Sequence, residues 1–232
     1  MRSRQNEVLP QGDDKVRAIR QMFDTIAPRY DLVNRIMTFG LDVRWRRRAT
    51  RALGLPAGAV VLDVAAGTGD FCRELRATGL TPVGIDLSFG MLAAARTEAP
   101  LLQGDALRLP VHDGAVGGVT CGFALRNLIA LPPFFAELAR VVRPGGRIAL
   151  LDVAQPSHPV LRWGHTIYFG KVVPRIGGLL SDPAAYRYLP RSVAYLPPGE
   201  GMVAMLRSAG FNDARRELLT GGITQLLTGT RA

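Results

Sequence analysis

The spacing of apolar positions changes along this chain, and each change predicts an element. Val16, Ile19, Met22, Phe23 and Ile26 recur three and four apart, which predicts an amphipathic helix over 16–27 ended by Pro28. A second helix is predicted over roughly 42–53. The pattern then turns to unbroken apolar runs. Val60-Val61-Leu62 leads into Asp63 and a tight turn of small residues, Ala65 to Asp70. Further runs end at Gly84-Ile85-Asp86, span Ala99 to Gln103, and occupy 116–125 and 147–153. Continuous runs of this kind mark parallel strands covered on both faces by helices. Between the last two runs, Phe134, Phe135, Leu138 and Val141 share one helical face, and Pro144-Gly145-Gly146 breaks that helix. A helix at 199–209 and strands near 211–219 and 223–230 close the chain. Only 156–198 lacks a clean period; it is proline-rich and holds Trp163, Tyr168, Phe169, Tyr186, Tyr188 and Tyr195.

These elements predict an α/β fold: one Rossmann-like domain over 16–232 with a mostly parallel seven-stranded sheet. Residues 1–15 read as a flexible lead-in, 16–53 as a helical cap, and 156–198 as a lid or substrate insertion after strand five. At 232 residues and 47% hydrophobic, the chain can bury a full core as one such unit.

Candidate chemistry sits at the strand ends. A dinucleotide site wants G-x-G-x-x-G facing a pyrophosphate, but Cys72 holds the third glycine position and Asp70 would repel a phosphate. An acidic loop suits a cation, and S-adenosylmethionine carries a sulfonium and an ammonium without any phosphate. Asp63, Ala65, Gly67, Thr68 and Gly69 are therefore candidate cofactor residues. Asp86 can accept both hydroxyls of a ribose, with Leu87 beside it. Asp105 can accept from an adenine amino group, and Ala106 leaves room for the ring. A ligand-free βα turn explains the glycines but not Asp70 and Asp86 together. No metal site is expected.

Charge raises a second question. The net charge is +10, and of 29 basic residues only Lys15 and Lys171 are lysines. Arg44, Arg46, Arg47, Arg48 and Arg51 crowd together. That cluster fits nucleic acid, an anionic membrane surface or a solvated helix face. No RNA-binding module or interleaved base-stacking aromatics accompany it, so nucleic acid is not expected as a partner. Cys72 and Cys121 are too few for a disulfide framework, which favours a cytoplasmic setting. No apolar run reaches the ~18 residues of a spanning helix.

Several segments together resemble one family. Tyr30-Asp31-Leu32-Val33-Asn34 with Met37-Thr38 and Trp45, Phe123-Ala124-Leu125-Arg126-Asn127, Arg140-Val141-Val142-Arg143-Pro144-Gly145-Gly146, and Tyr186-Arg187-Tyr188-Leu189 with Ser192 resemble signatures of the ubiquinone/menaquinone biosynthesis C-methyltransferases. The resemblance runs from about Val16 to the C-terminus. The chain departs from the pattern at Val33, Thr38, Asp42, Gly117, Ala124, Asp152 and Ala154, and at Gly122, where the family has a cofactor-binding Ser.

The resemblance implies C-methylation of a prenylated quinol, most directly demethylmenaquinol, with S-adenosylmethionine as donor. Gly122 joins the cofactor residues by the same implication. Arg126, just past strand four, is the candidate catalytic residue. An arginine is no practical base, but it can hold a phenolate or orient a water; a structural salt bridge is its other reading. His112 and His165 are alternative proton acceptors. Tyr30, Asn34, Asn127, Trp163, Tyr186 and Tyr188 are candidate pocket residues. Segment 160–180 mixes aromatic and basic residues, which suits an interfacial lid, plain packing or contact with a second copy in a homodimer. The expected enzyme binds an anionic membrane surface peripherally. The rival functions are another small-molecule C- or O-methyltransferase, a nucleic-acid-modifying protein, and a cofactor-binding partner subunit without catalysis.

Overall fold

The computed structural model describes residues 12–232, except the side chains of Arg187 and Leu189. Most of the expected lead-in over 1–15 thus lies outside the described residues, and 12–15 form the first turn of a helix. Three helices precede the sheet: α1 (Gly12–Ile26), α2 (Tyr30–Met37) and α3 (Leu41–Leu53). Pro28 does not stop the chain from coiling. It sits in the first turn of a 3-10 segment, Ala27–Arg29, where its missing N–H costs nothing, and α2 follows directly.

The strands are β1 (Val60–Val64), β2 (Thr81–Asp86), β3 (Leu101–Gln103), β4 (Val116–Gly122), β5 (Val142–Val153), β6 (Phe211–Leu219) and β7 (Thr224–Arg231). They form one seven-stranded sheet in the order β3-β2-β1-β4-β5-β7-β6. Pairing is parallel from β3 through β5, and β7 runs antiparallel to both neighbours. Strand five begins earlier than the sequence suggests. Val142 already pairs with Val116, and pairing resumes at Arg147 with Gly118. Pro144-Gly145-Gly146 is therefore a bulge within the strand, with Gly145 at φ 75°.

Helices α4 (Asp70–Ala77), α5 (Phe89–Ala93), α6 (Leu131–Val141) and α10 (Gly199–Ser208) complete the doubly wound layers. On one face α6 and α10 bury Phe134, Phe135, Leu138, Met202 and Leu206 in one cluster with Val119, Ile148, Leu150, Phe211 and Leu227 of the sheet, α10 lying on α6 and β6. On the other, α3 and α4 bury Trp45, Leu53, Phe71 and Leu75.

The aperiodic segment is mostly helical: α7 (Pro159–Ile167), a π-helical turn (Tyr168–Val172), α8 (Val173–Leu180) and α9 (Pro183–Ser192). The π turn shifts the register between α7 and α8, and α9 carries Pro190 inside its last turn, which hides a single 3.6 period. A third apolar cluster joins this segment to the N-terminal helices: Ile26, Val33 and Met37 pack with Val173, Ala185 and Tyr186. The strand order reverses between β1 and β4, and ligands of open α/β sheets bind at such a point.

Candidate active site

The turn after β1 has a backbone that side chains rarely adopt. Ala65, Gly67 and Gly69 all have positive φ, at 57°, 57° and 83°. Nothing lies within 4 Å of where a Gly67 Cβ would be, because that position faces a cavity. Gly69 is small for another reason: a Cβ there would sit 2.5 Å from Thr97. The Asp86 carboxylate ties two loops together. It accepts from Gly67 N and from Ser88 N, each at 2.8 Å, and burial pushes its pKa up.

The first cavity is lined by Ala65, Gly67, Asp86, Leu87, Asp105, Ala106 and Gly122, under a roof of Val16, Ile19 and Phe23 from α1. Its two carboxylates accept from hydroxyl and amino donors, and its apolar walls suit a flat ring. A polar niche adjoins it, lined by Asp63, Thr68 and Asp70 with Ala65, Gly67 and Gly122. These residues fit adenosine in the cavity and the charged end of S-adenosylmethionine in the niche. Of the ten expected cofactor residues, Gly69 alone lines neither space; it shapes the turn.

Asp63 is buried beneath the loop. It accepts from Thr120 Oγ1 at 2.8 Å and faces Cys72 Sγ at 3.6 Å. Desolvation pushes its pKa to about 7. Asp70 differs from its sequence reading: Arg46 (3.2 Å) and Arg73 neutralise it. It is thus no bare anion guarding the loop against phosphate.

A second, larger cavity of about 450 Å3 lies between the N-terminal helices and α7. Tyr30, Phe123 and Asn127 line both cavities, and Tyr30 lines the niche as well. Burial raises the Tyr30 pKa, against the opposing charge of Arg126; its side chain is hydrogen-bonded to Asn34. Asn127 Oδ1 accepts from Tyr188 Oη at 3.3 Å. Tyr30, Asn34, Asn127 and Tyr188 all line this cavity, and Arg126 joins them in the wall.

Arg126 is also the buried partner of Asp152. Its Nη1 donates to Asp152 Oδ1 (2.5 Å) and to Phe123 O (2.7 Å), and its Nε donates to Ser192 Oγ (3.2 Å). The salt-bridge reading of this residue is therefore realised, and its charge is shared before any substrate arrives.

Two expected pocket residues stand elsewhere. Trp163 is 69% exposed. Val160, Leu161, Gly164, His165 and Tyr168 form the inner stripe of the helix, and position 163 falls off it. Tyr186 is fully buried in the third apolar cluster, against the backbone of Gly177, where a Cβ would meet its ring at 2.1 Å. His112 is on the surface beside Arg108 and Arg140, away from both cavities, whereas His165 lines the second.

The arginine cluster is not a uniform basic face. Arg46 is buried against Asp42 (2.6 Å), Arg47 pairs with Glu74 and Arg48 with Glu217. Those partners come from α3 itself, α4 and β6.

Sequence reasoning missed how the N-terminal helices hold the cofactor loops. Lys15 Nζ donates to Arg126 O (3.1 Å) and Leu128 O (2.7 Å), with the Tyr195 ring 3.7 Å away. Asp24 accepts from Ser88 Oγ and Gly90 N, and Asp31 accepts from Thr68 Oγ1. The loops after β4, β2 and β1 are each gripped by a side chain of these helices. A lysine four residues before Ile19, on the apolar stripe of α1, was the available signal for the first contact.

Comparison with known proteins agrees with this geometry. The model of the ubiE/COQ5 methyltransferase family matches residues 11–231. A demethylmenaquinone methyltransferase of Thermus thermophilus is 44% identical, covering 90% of this chain and all of the relative. A ubiquinone/menaquinone biosynthesis C-methyltransferase UbiE of Syntrophotalea carbinolica is 41% identical over 92% of this chain and 94% of its own length. Among solved structures, a SAM-dependent methyltransferase of Thermotoga maritima, titled a possible histamine N-methyltransferase, superposes with a TM-score of 0.61 at 18% identity. It covers 92% of this chain and 100% of that one, and shows the shared fold. The match over nearly the whole chain, on a sheet with a glycine-loop cavity at its switch point, shows that this chain belongs to the ubiE/COQ5 methyltransferase family.

Proposed function

We propose that this enzyme methylates a ring carbon of a prenylated quinol, most directly demethylmenaquinol. The observation that carries the reading is the junction at Tyr30, where a cavity with nucleoside-accepting carboxylates meets a larger apolar one. The relatives' names support the substrate class. S-adenosylmethionine, when bound, supplies a methyl group activated by its sulfonium. Asp86 keeps lone pairs beyond its two backbone bonds for the ribose hydroxyls, and Asp105 receives the adenine amino group. Asp63 faces the ammonium end through the niche.

In the second cavity the apolar walls take the ring and the start of the prenyl chain. A ring carbon becomes nucleophilic when the adjacent hydroxyl loses its proton. Arg126, Asn127 and the Tyr30–Asn34 pair hold that oxygen at the end of the cavity nearest the cofactor. Arg126 acts there as a donor and not as a base: it holds the phenolate and orients a water that takes the hydroxyl proton, and Tyr30, with its raised pKa, stays protonated at neutral pH. Orienting the ring and excluding water supply most of the rate.

The same reading takes the enzyme to a lipid surface. The mouth of the second cavity carries exposed Phe39 (79%), Val160 and Leu161, with Trp163 beside them. Arg162, Lys171 and Arg175 are exposed along the same segment. Among the described residues no helix is long and apolar enough to cross a membrane, so shallow contact is the mode proposed.

Incubation with methyl-labelled donor and a short-chain demethylnaphthoquinol, under reducing conditions, tests the reading. Label in the quinol is expected, and none would overturn it. Trp163→Ala should weaken binding to anionic vesicles without changing turnover of the short-chain quinol. Turnover that falls with Trp163→Ala would refute its lipid role, as would a loss of self-association with vesicle binding intact.

A further inference from the structure

Lys15 is buried in the first turn of α1, at 4% exposure, and no carboxylate pairs with it among the described residues. Buried charges are ordinarily paired, because taking an ion out of water is costly. The start of a helix makes the placement worse, since the macrodipole is positive there. The surrounding groups offer no counter-ion. Asp13 and Asp14 of its own helix are exposed, and Asp14 pairs with Arg17. The elements packed on it bring Tyr195, with Arg191 near that ring, and Arg126 with Tyr188 and Asp152. Asp152 is already committed to Arg126. Main chain and a ring hold the ammonium instead: Arg126 O at 3.1 Å, Leu128 O at 2.7 Å, and the Tyr195 ring at 3.7 Å.

Those two carbonyls flank one residue, Asn127. It ends the 3-10 turn Leu125–Asn127 that follows β4, and it lines both cavities. Its Oδ1 is taken by Tyr188 Oη. Its Nδ2 makes no hydrogen bond among the described residues, so two N–H donors remain where the cofactor cavity meets the acceptor cavity. An Asn side chain has only two torsions, so the place of its amide follows closely from its backbone. The cation that fixes this backbone comes from α1, the helix that roofs the cofactor cavity.

We propose that Lys15 is a positioning residue for methyl transfer: its ammonium clamps the two carbonyls flanking Asn127 and so sets the Asn127 amide where it donates to the acceptor's ring oxygen. This rests on the quinol reading above. Burial brings the Lys15 pKa down from 10.5 to about 8, so the clamp is charged at neutral pH and loses its charge as pH rises through that value. A neutral amine donates more weakly and gives up the cation–π contact with Tyr195.

The test is a double-variant cycle on kcat for a short-prenyl demethylnaphthoquinol, with saturating donor, under reducing conditions, at a temperature where every variant is folded. Lys15→Met and Asn127→Ala should each lower kcat on the order of tenfold at neutral pH. The double variant should match Asn127→Ala within about twofold, because the clamp acts through that amide. Lys15→Arg keeps a cation at every working pH. It should recover part of kcat and remove the loss that the wild type shows above pH 8. A lysine that only stabilises the fold would multiply its loss onto that of Asn127→Ala, and would leave the high-pH limb the same in Lys15→Arg. Either result overturns the assignment, while wild-type turnover of the quinol keeps the parent reading intact. A wild type inert toward the quinol would remove both.

Discussion

Arg126→Met tests whether the wall of the substrate cavity is held by its buried ion pair. Asp152 is fully buried and Arg126 nearly so, at 6% exposure. Removing the guanidinium leaves Asp152 with the backbone N–H groups of Arg126 (3.1 Å) and Val153 (2.7 Å) and, among the described residues, without its cation. Breaking such a pair from one side costs about 3–5 kcal/mol, because an uncompensated charge stays buried. In a domain of this size each kcal/mol moves Tm by roughly 2–4 °C, so the single change should lower Tm by roughly 6–20 °C. Asn at 152 keeps an acceptor for the two backbone donors and removes the charge. Arg126→Met with Asp152→Asn should therefore recover most of the loss. Thermal unfolding by circular dichroism, with both singles and the double, reads the coupling directly. A loss below about 3 °C for Arg126→Met, or a double variant no better than that single, would refute the reasoning. The experiment also bears on catalysis: activity lost in Arg126 variants is interpretable only at temperatures where each variant is folded.

Two further predictions follow from groups the cofactor site buries. Lys15→Met removes the grip of α1 on the loop after β4; with bonds from a charged donor contributing about 1.5–3 kcal/mol, S-adenosylhomocysteine should dissociate at least tenfold faster in stopped-flow, and an unchanged rate would mean that α1 does not gate the cavity. Asp63 has a folded pKa raised to about 7 from 3.8, so the folded state holds the extra proton and stability from this group is lost as pH rises through that interval. Cofactor-free Asp63→Asn should match the wild type near pH 4 and exceed it by a few kcal/mol at pH 8, as measured by urea unfolding; a gap that does not widen with pH contradicts a protonated Asp63.

The sheet and the cofactor loops were legible because both are local. Val60–Val64 and Thr81–Asp86 are continuous apolar runs ending in Asp or a small-residue turn, and a buried parallel strand needs little more. The substrate side was less legible because its geometry is not local. Trp163 and His165 are two positions apart in one helix, yet only His165 turns inward, and the choice is set by packing of α7 on residues near 220. Gly221 comes within 3.1 Å of Leu161 in that contact, measured from where its Cβ would be. Tyr186 reads as a pocket aromatic until Gly177 is seen packed on it. The arginines of α3 look like one basic stripe, but Glu74 and Glu217, which neutralise two of them, lie 27 and 169 residues away in sequence.

The central claim is that the methyl group goes to carbon. The most direct measurement is turnover of a short-prenyl demethylnaphthoquinol with donor carrying a carbon-13 methyl, followed by NMR of the isolated product. The account predicts a methyl bonded to the ring carbon beside a hydroxyl-bearing carbon, with both oxygens free. A methyl found on oxygen would contradict it, and would make this cavity the site of an O-methyltransferase.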